Sequence, residues 1–248
     1  MKVKLLEYLT LSLEISRRKL VEKIQKGLIT VNGKITTDFR KLIDPRKDLI
    51  RLKGRIIKSS NSGVIIFNKP PKVIVSRHDS LGRRTVYDYL PKKFRHYDPV
   101  GRLDYWSTGL LVFTNDGMLA ELLSHPRYQV PKVYLVKVTG TLKNKDLRKL
   151  LNGLIIDGRK INFKEIQPLE TGKKSEADSW YKVTLTSGHN RVIRKAFEKI
   201  YYPVQKLKRI EVGPLRLGSL KPGEIRHLSE RQYLELKKSL ISSSSQRK

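Results

Sequence analysis

Cysteine is absent from the 248 residues, which removes disulfides, thiolate metal sites and cysteine nucleophiles together. The five scattered histidines do not by themselves build a familiar zinc motif. No stretch reaches the roughly 18 consecutive apolar residues that a transmembrane helix requires, so an integral helical membrane protein is excluded. The first ten residues hold two lysines but neither a long apolar run nor a small-residue cleavage site, and they do not read as a secretory signal. No dinucleotide-binding or phosphate-loop motif is recognisable, and no repeat of solenoid length. A reducing cytoplasm fits this inventory.

Acidic residues are also scarce, 23 against 53 lysines and arginines, for a formal charge of +30. A field of that sign calls for a polyanion: RNA, DNA or an acidic membrane surface, with nonspecific stickiness as the bland alternative. The 38% of hydrophobic residues is enough to fill the core of one mid-sized domain plus a small one.

The first 58 residues carry 16 basic and 6 acidic side chains, a net of +10. Leu5, Leu6 and Leu9 suggest a short helix. Ser16 is placed to cap a second helix over 17–26, in which Leu20, Val21 and Ile24 share a packing face beside a basic stripe of Lys19, Lys23 and Lys26. Gly27 stops it, and 28–31, Asn32-Gly33 and 34–36 read as a hairpin. A solvated basic helix is the plainer alternative, but the hairpin beside it makes a compact surface for phosphates. Residues 58–63, Lys-Ser-Ser-Asn-Ser-Gly, are polar enough to link domains. The division is therefore 1–58, 61–240 and a fraying tail over 241–248. Strands are expected over 64–67, 110–113, 133–138 and 181–186, and helices over 118–123, 145–151 and 190–200. This is an α+β class, with a mixed, mainly antiparallel sheet packed by helices.

Three segments can carry chemistry. The first, Gly101-Arg102-Leu103-Asp104-Tyr105-Trp106-Ser107-Thr108-Gly109-Leu110-Leu111-Val112-Phe113-Thr114-Asn115-Asp116-Gly117, gathers glycines, charges and aromatics just before a strand. Its Asp104 carboxylate is either a turn or cap residue or a group that attacks carbon or accepts a proton, and Trp106 beside Arg102 can contact an extruded base. The second, Lys132-Val133-Tyr134-Leu135-Val136-Lys137-Val138, puts Tyr134 on one strand face with two valines, as a sheet aromatic or a ring presented to a pocket. In the third, Asn190-Arg191-Val192-Ile193-Arg194, a helix would bury Ile193, Ala196, Phe197 and Ile200, leave Arg194 at the edge of that face for a semi-buried ion pair, and turn Arg191 outward to an RNA phosphate. Late in the chain, residues 207–228 read as further sheet strands.

The Ser16-Arg17-Arg18 start and the Val31-Asn32-Gly33 turn resemble the small alpha-L RNA-binding module, which implies structured RNA as ligand and assigns Ser16, Arg17, Arg18, Lys19, Lys23 and Lys26 to docking. The 101–117 segment resembles the signature of the pseudouridine synthases, in the branch that acts on ribosomal RNA and carries an alpha-L module. Ser107 stands where threonine is common. The resemblance implies that Asp104 is the essential aspartate, that Tyr134 packs against the target ring, and that Arg194 pairs with Asp104. Val192 stands where many relatives have glutamine. Arg102, Trp106 and Arg191 are then substrate-binding, with Arg102 on a phosphate or in the space vacated by a flipped base. No metal or organic cofactor is implied. The expected partner is structured ribosomal RNA or a precursor subunit, the large-subunit RNA ahead of the small, met by a monomeric cytoplasmic chain without membrane contact. A non-enzymatic RNA-binding or ribosome-assembly protein is the rival. It accounts for the basic first domain but does not require Asp104, Tyr134 and Arg194 together.

Overall fold

A computed structural model describes residues 2–13, 15–45, 47–57, 62–170, 178–189 and 191–245. Asn190, residues 58–61 of the expected linker and residues 246–248 of the expected tail lie outside the described residues.

The N-terminal part is built from β1 (Val3–Lys4), α1 (Leu5–Ser12), α2 (Arg17–Gln25), β2 (Ile29–Val31), β3 (Lys34–Ile35), β4 (Leu42–Ile43), β5 (Ile50–Leu52) and β6 (Arg55–Ile56). Ser16 adopts an extended conformation and its hydroxyl accepts the Lys19 N–H, so α2 starts where the cap requires. At its other end Gly27 lies at φ +67, the Gly27 N–H reaches the Ile24 carbonyl, and the Leu28 N–H reaches that of Lys23. This is the pair of bonds that closes a Schellman terminus. Asn32 and Gly33 both have positive φ, the twist a two-residue hairpin needs between β2 and β3. The Asn32 amide donates to Asp48 and accepts the Leu49 N–H, so the turn residue also holds the next loop. Strands β3, β2, β5 and β6 form one sheet, and β1 pairs with β4. Leu5, Leu9, Leu20, Ile24, Ile29, Ile43 and Ile50 form a core confined to this part.

A nine-stranded mixed sheet organises the rest. Its strands are β7 (Val64–Lys69), β8 (Asp98–Val100), β9 (Thr108–Thr114), β10 (Lys132–Thr139), β13 (Glu165–Leu169), β14 (Asp178–Leu185), β15 (Val204–Val212), β16 (Leu215–Arg216) and β17 (Ile225–His227), and β11 (Leu154–Ile156) with β12 (Arg159–Ile161) makes a separate hairpin. The order is β13-β14-β10-β15-β9-β7-β17, with β16 beside β15 and β8 beside β9. Among the described residues every pairing in this sheet is antiparallel except β15 with β9. The helices are α3 (Gly117–Ser124), α4 (Asn144–Asn152), α5 (Val192–Lys199) and α6 (Glu230–Ser245).

Strand β9 shows why the Leu110-Leu111-Val112-Phe113 run is apolar throughout. Leu111 and Phe113 join the cluster that holds Val136, Val183 and Phe197, whereas Leu110 and Val112 join the one that holds Leu119, Tyr233 and Leu236. The strand is covered on both faces, so alternation disappears. One point in the expected layout is corrected: the tail does not begin at residue 241, because α6 runs on through Ser245. Tyr233, Leu236 and Leu240 recur at helical spacing and are buried, and the helix they anchor carries the serines beyond them. Among the described residues no helix is long and apolar enough to cross a membrane.

Candidate functional site

The loop between β8 and β9 carries Asp104. It is folded by a turn in which the Ser107 N–H donates to the Asp104 carbonyl at 3.0 Å, and the Lys72 N–H holds the Tyr105 carbonyl at 2.8 Å. Beneath it lies Lys69, fully buried at the end of β7, whose Nζ donates to the carbonyls of Ser107 (2.8 Å), Pro70 (3.0 Å) and Tyr105 (3.3 Å). Burial pushes the Lys69 ammonium down to about 8 against the opposing pull of the Asp104 charge. The backbone dipoles that accept its three bonds fix the ends of the turn that presents Asp104.

The other side of the loop is fixed by Gly109. It has φ +98 and pairs with Arg209 across the parallel β9–β15 contact, so close that a Cβ would strike the Arg209 carbonyl oxygen. Across β15, Arg209 faces Tyr134 of β10. These registers gather Arg102, Asp104, Ser107, Lys132, Tyr134, Arg191 and Arg209 around one cavity of about 460 Å³. Tyr134 is 9% exposed, Asp104 half-buried, and Arg102 and Arg191 are exposed at the rim.

Two expected site residues do not line this cavity. Trp106 is 57% exposed and projects outside it, with the Lys72 ammonium 5.5 Å from its ring centroid and the Tyr105 ring against it edge-on. Arg194 is half-buried, and its Nη1 donates to the Val204 carbonyl at 2.8 Å. Burial and then the neighbouring Arg191 push its guanidinium pKa down, while the Asp104 charge pulls it up. Among the described residues no ion pair within 4.0 Å joins Arg194 to Asp104, which corrects the expected direct contact to a longer-range attraction. The reason lies in α5: Arg191 takes a left-handed conformation just before the helix, and Arg194, in its first turn, lies against the start of β15. Val192, Ile193, Ala196, Phe197 and Ile200 are buried on the packing face, with Arg191 exposed. Far along the chain, Ser16, Arg17, Arg18, Lys19 and Lys26 are exposed on α2 and its ends, and Lys23 is half-exposed.

Three further groups, two lining the cavity and one beneath its loop, are ones to which the sequence alone assigns no role. Lys132 is 9% exposed; burial and then repulsion from Arg209 push it down to about 8, and its Nζ donates to the Val130 carbonyl at 3.1 Å. Arg209 is 4% exposed and its Nε donates to the Leu110 carbonyl at 2.7 Å. Its Nη2, like the Oγ of Ser107, is buried without a hydrogen-bond partner among the described residues. Lys69, beneath the loop, is the third. An apolar strand ending in Asn68-Lys69-Pro70-Pro71 looks like a strand meeting its stop, and only the pairing of Lys69 with Gly109 brings it under the loop. Among the described residues no group of three or more histidines and carboxylates is close enough to hold a metal. Among the described residues the arrangement sets the Asp104 carboxylate, the Tyr134 ring and several cations around a space of nucleotide dimensions.

The family model for RNA pseudouridylate synthase matches residues 63–199, a span that takes in Lys69, Asp104, Tyr134 and Arg194 and stops short of the β15 strand that supplies Arg209. An uncharacterized RNA pseudouridine synthase of Aquifex aeolicus is 31% identical over 241 residues, covering 97% of this chain and 96% of its own. The ribosomal large subunit pseudouridine synthase B of Bacillus subtilis is 35% identical over 222 residues, covering 90% of each chain. The protein of the same name from Buchnera aphidicola is 37% identical over 215 residues, covering 84% of this chain and 83% of its own. A solved structure described as a crystal structure of pseudouridylate synthase superposes with a TM-score of 0.63 at 21% identity, over 94% of this chain and 99% of that one. That last likeness speaks to the fold.

Proposed function

The chain belongs to the RNA pseudouridylate synthase family, and from that premise we propose that it isomerises a uridine of large-subunit ribosomal RNA, with Asp104 as the nucleophile. The observation that carries this reading is the meeting of Asp104, Tyr134, Arg102 and Arg191 in one cavity. The names of the relatives from Bacillus subtilis and Buchnera aphidicola favour the large subunit.

The reaction breaks the N1–C1′ bond of uridine and joins C5 to C1′; C5 gives up a proton and N1 gains one, so no atoms or electrons are lost. The residues needed are those that hold the detached base, offer a nucleophile and keep the RNA in register. Asp104 supplies the nucleophile, adding to C1′ of the sugar or to C6 of the base. Tyr134 offers a ring wall against which the base turns. Arg194 attracts the carboxylate from a distance, and the Lys69 ammonium does so from beneath. Arg102 and Arg191 at the rim meet phosphates or fill the gap left by an extruded base, and Trp106 outside the cavity contacts a flanking base.

Residues 1–58 act in this scheme as an alpha-L docking module, with Ser16 shaping α2 and Arg17, Arg18, Lys19, Lys23 and Lys26 meeting the phosphates of structured RNA or a precursor subunit. The chain works as a monomer in the cytoplasm, and 61–240 forms the catalytic domain. Mapping pseudouridine at single-nucleotide resolution in ribosomal RNA from matched cells with and without the protein tests the reading. One dependent site in large-subunit RNA is expected. A site confined to small-subunit RNA overturns the target, and loss of no site in any RNA overturns the activity.

A further inference from the structure

The wall of the cavity includes two buried cations, Lys132 and Arg209. Lys132 and Arg209 repel one another, and among the described residues neither has a carboxylate within 4.0 Å. Each places one donor on a main-chain carbonyl, Lys132 on Val130 and Arg209 on Leu110. What remains points to an anion: the Arg209 Nη2 and the Ser107 hydroxyl are both buried in the cavity wall with no partner among the described residues. Burying one guanidinium edge unsatisfied costs free energy, and burying a second cation beside it costs more. The sheet itself gives no reason for either charge, since the pairing neighbours across β10 and β15 are Val212 for Lys132 and Tyr134 for Arg209.

We propose that Lys132, Arg209 and Ser107 form a phosphodiester-binding subsite, which takes the backbone phosphate next to the target nucleotide. The inference rests on the reading of the cavity as a nucleotide site. A phosphate oxygen offers the acceptors that Arg209 Nη2 and the Ser107 hydroxyl lack, and its charge relieves the repulsion between the two cations. The placement also suits the reaction. Tyr134 is the cross-strand neighbour of Arg209, and Ser107 closes the turn that begins at Asp104, so a phosphate held here ties the sugar to a fixed point between the ring wall and the nucleophile. While the base is detached, the ribose then stays in place through its own backbone. The three residues position the substrate and take no part in bond making.

The test uses the full chain and the dinucleotide UpU, compared with its uncharged methylphosphonate analogue, by calorimetry at low salt. UpU is expected to bind at least about tenfold more tightly than the neutral analogue, in line with the added strength of charge-assisted hydrogen bonds. Lys132→Met should reduce that preference to about threefold or less. Arg209→Lys, which keeps the charge but loses the separate Nη2 of the guanidinium fork, and Ser107→Ala should each lower it in part, and the circular dichroism of each variant reports whether the fold is kept. With any ribosomal RNA that the enzyme modifies, Lys132→Met should raise KM far more than it lowers kcat. Equal binding of the two dinucleotides, no measurable binding, or a preference unchanged in folded Lys132→Met overturns the subsite. Those outcomes leave the pseudouridine map untouched, so failure here and failure of the proposed activity read out separately.

Discussion

Replacing Lys69 by methionine removes an ammonium and leaves an unbranched apolar side chain one atom shorter. The three carbonyls of Pro70, Tyr105 and Ser107 lose their donor. Hydrogen bonds from a charged donor contribute about 1.5 to 3 kcal/mol each, so the gross loss is about 4.5 to 9 kcal/mol. Against it stands relief of the buried charge. A lysine held at about 8 instead of 10.5 carries an unfavourable contribution of about 3 kcal/mol, at about 1.36 kcal/mol per pH unit. The net is a destabilisation of about 1.5 to 6 kcal/mol at pH 7, measured by urea unfolding. The pH dependence gives a second signature. Between about 8 and 10.5 the unfolded chain keeps the proton on Lys69 that the folded chain has lost, so the contribution of this residue to stability rises with pH across that window. The wild type should therefore pull away from Lys69→Met by about 3 kcal/mol further as the pH is raised from 8 to 10.5. Because the turn carrying Asp104 rests on these bonds, turnover should fall by at least about a hundredfold even where the variant is folded, a loss of about 2.7 kcal/mol in transition-state stabilisation. A variant as stable as the wild type at pH 7 with normal turnover, or a stability gap that stays flat with pH, would show that Lys69 does not hold the turn.

Gly109→Ala should cost about 2 to 6 kcal/mol, from a Cβ driven into the Arg209 carbonyl and from a backbone at φ +98, and thermal melting would show it. Lys237→Met should destabilise the chain by about 3 kcal/mol or more in denaturant, because Asp116, which caps α3, is buried and accepts from Lys237 at 2.7 Å and from the Tyr233 hydroxyl at 2.6 Å. Deleting residues 1–58 should weaken binding to ribosomal RNA and flatten its dependence on salt, since every phosphate that the module no longer neutralises takes about 0.7 to 0.9 off the logarithmic slope. An unchanged slope in filter-binding titrations would remove the docking role.

Much of the fold is legible where local chemistry decides it. The Ser16 cap, the Gly27 stop and the Asn32-Gly33 turn fix the elements around them through bonds within a few residues, and each forms as its residues suggest. Strands expected over 110–113 and 133–138 are present and longer, as Thr108–Thr114 and Lys132–Thr139, because sheet pairing extends the backbone past the apolar run. The final helix hides because Ser242–Ser245 look like tail residues, although Tyr233, Leu236 and Leu240 before them bury a face. The site divides in the same way. Asp104 and Tyr134 stand in segments dense enough to attract notice, and they meet in the cavity. Lys69, Lys132 and Arg209 do not stand out among 53 basic residues. Their positions depend on the registers Lys69 with Gly109, Gly109 with Arg209 and Arg209 with Tyr134, which join parts of the chain far apart in sequence.

In the proposed function the Asp104 carboxylate does the chemistry, and the other residues of the site hold the RNA. The decisive measurement is pseudouridine formation in ribosomal RNA by purified Asp104→Asn, with RNA affinity and thermal unfolding followed on the same preparation. The substitution keeps the volume and removes the charge, so isomerisation should disappear while affinity and folding stay close to those of the wild type. Turnover near the wild-type rate in folded Asp104→Asn would rule out this aspartate as the nucleophile.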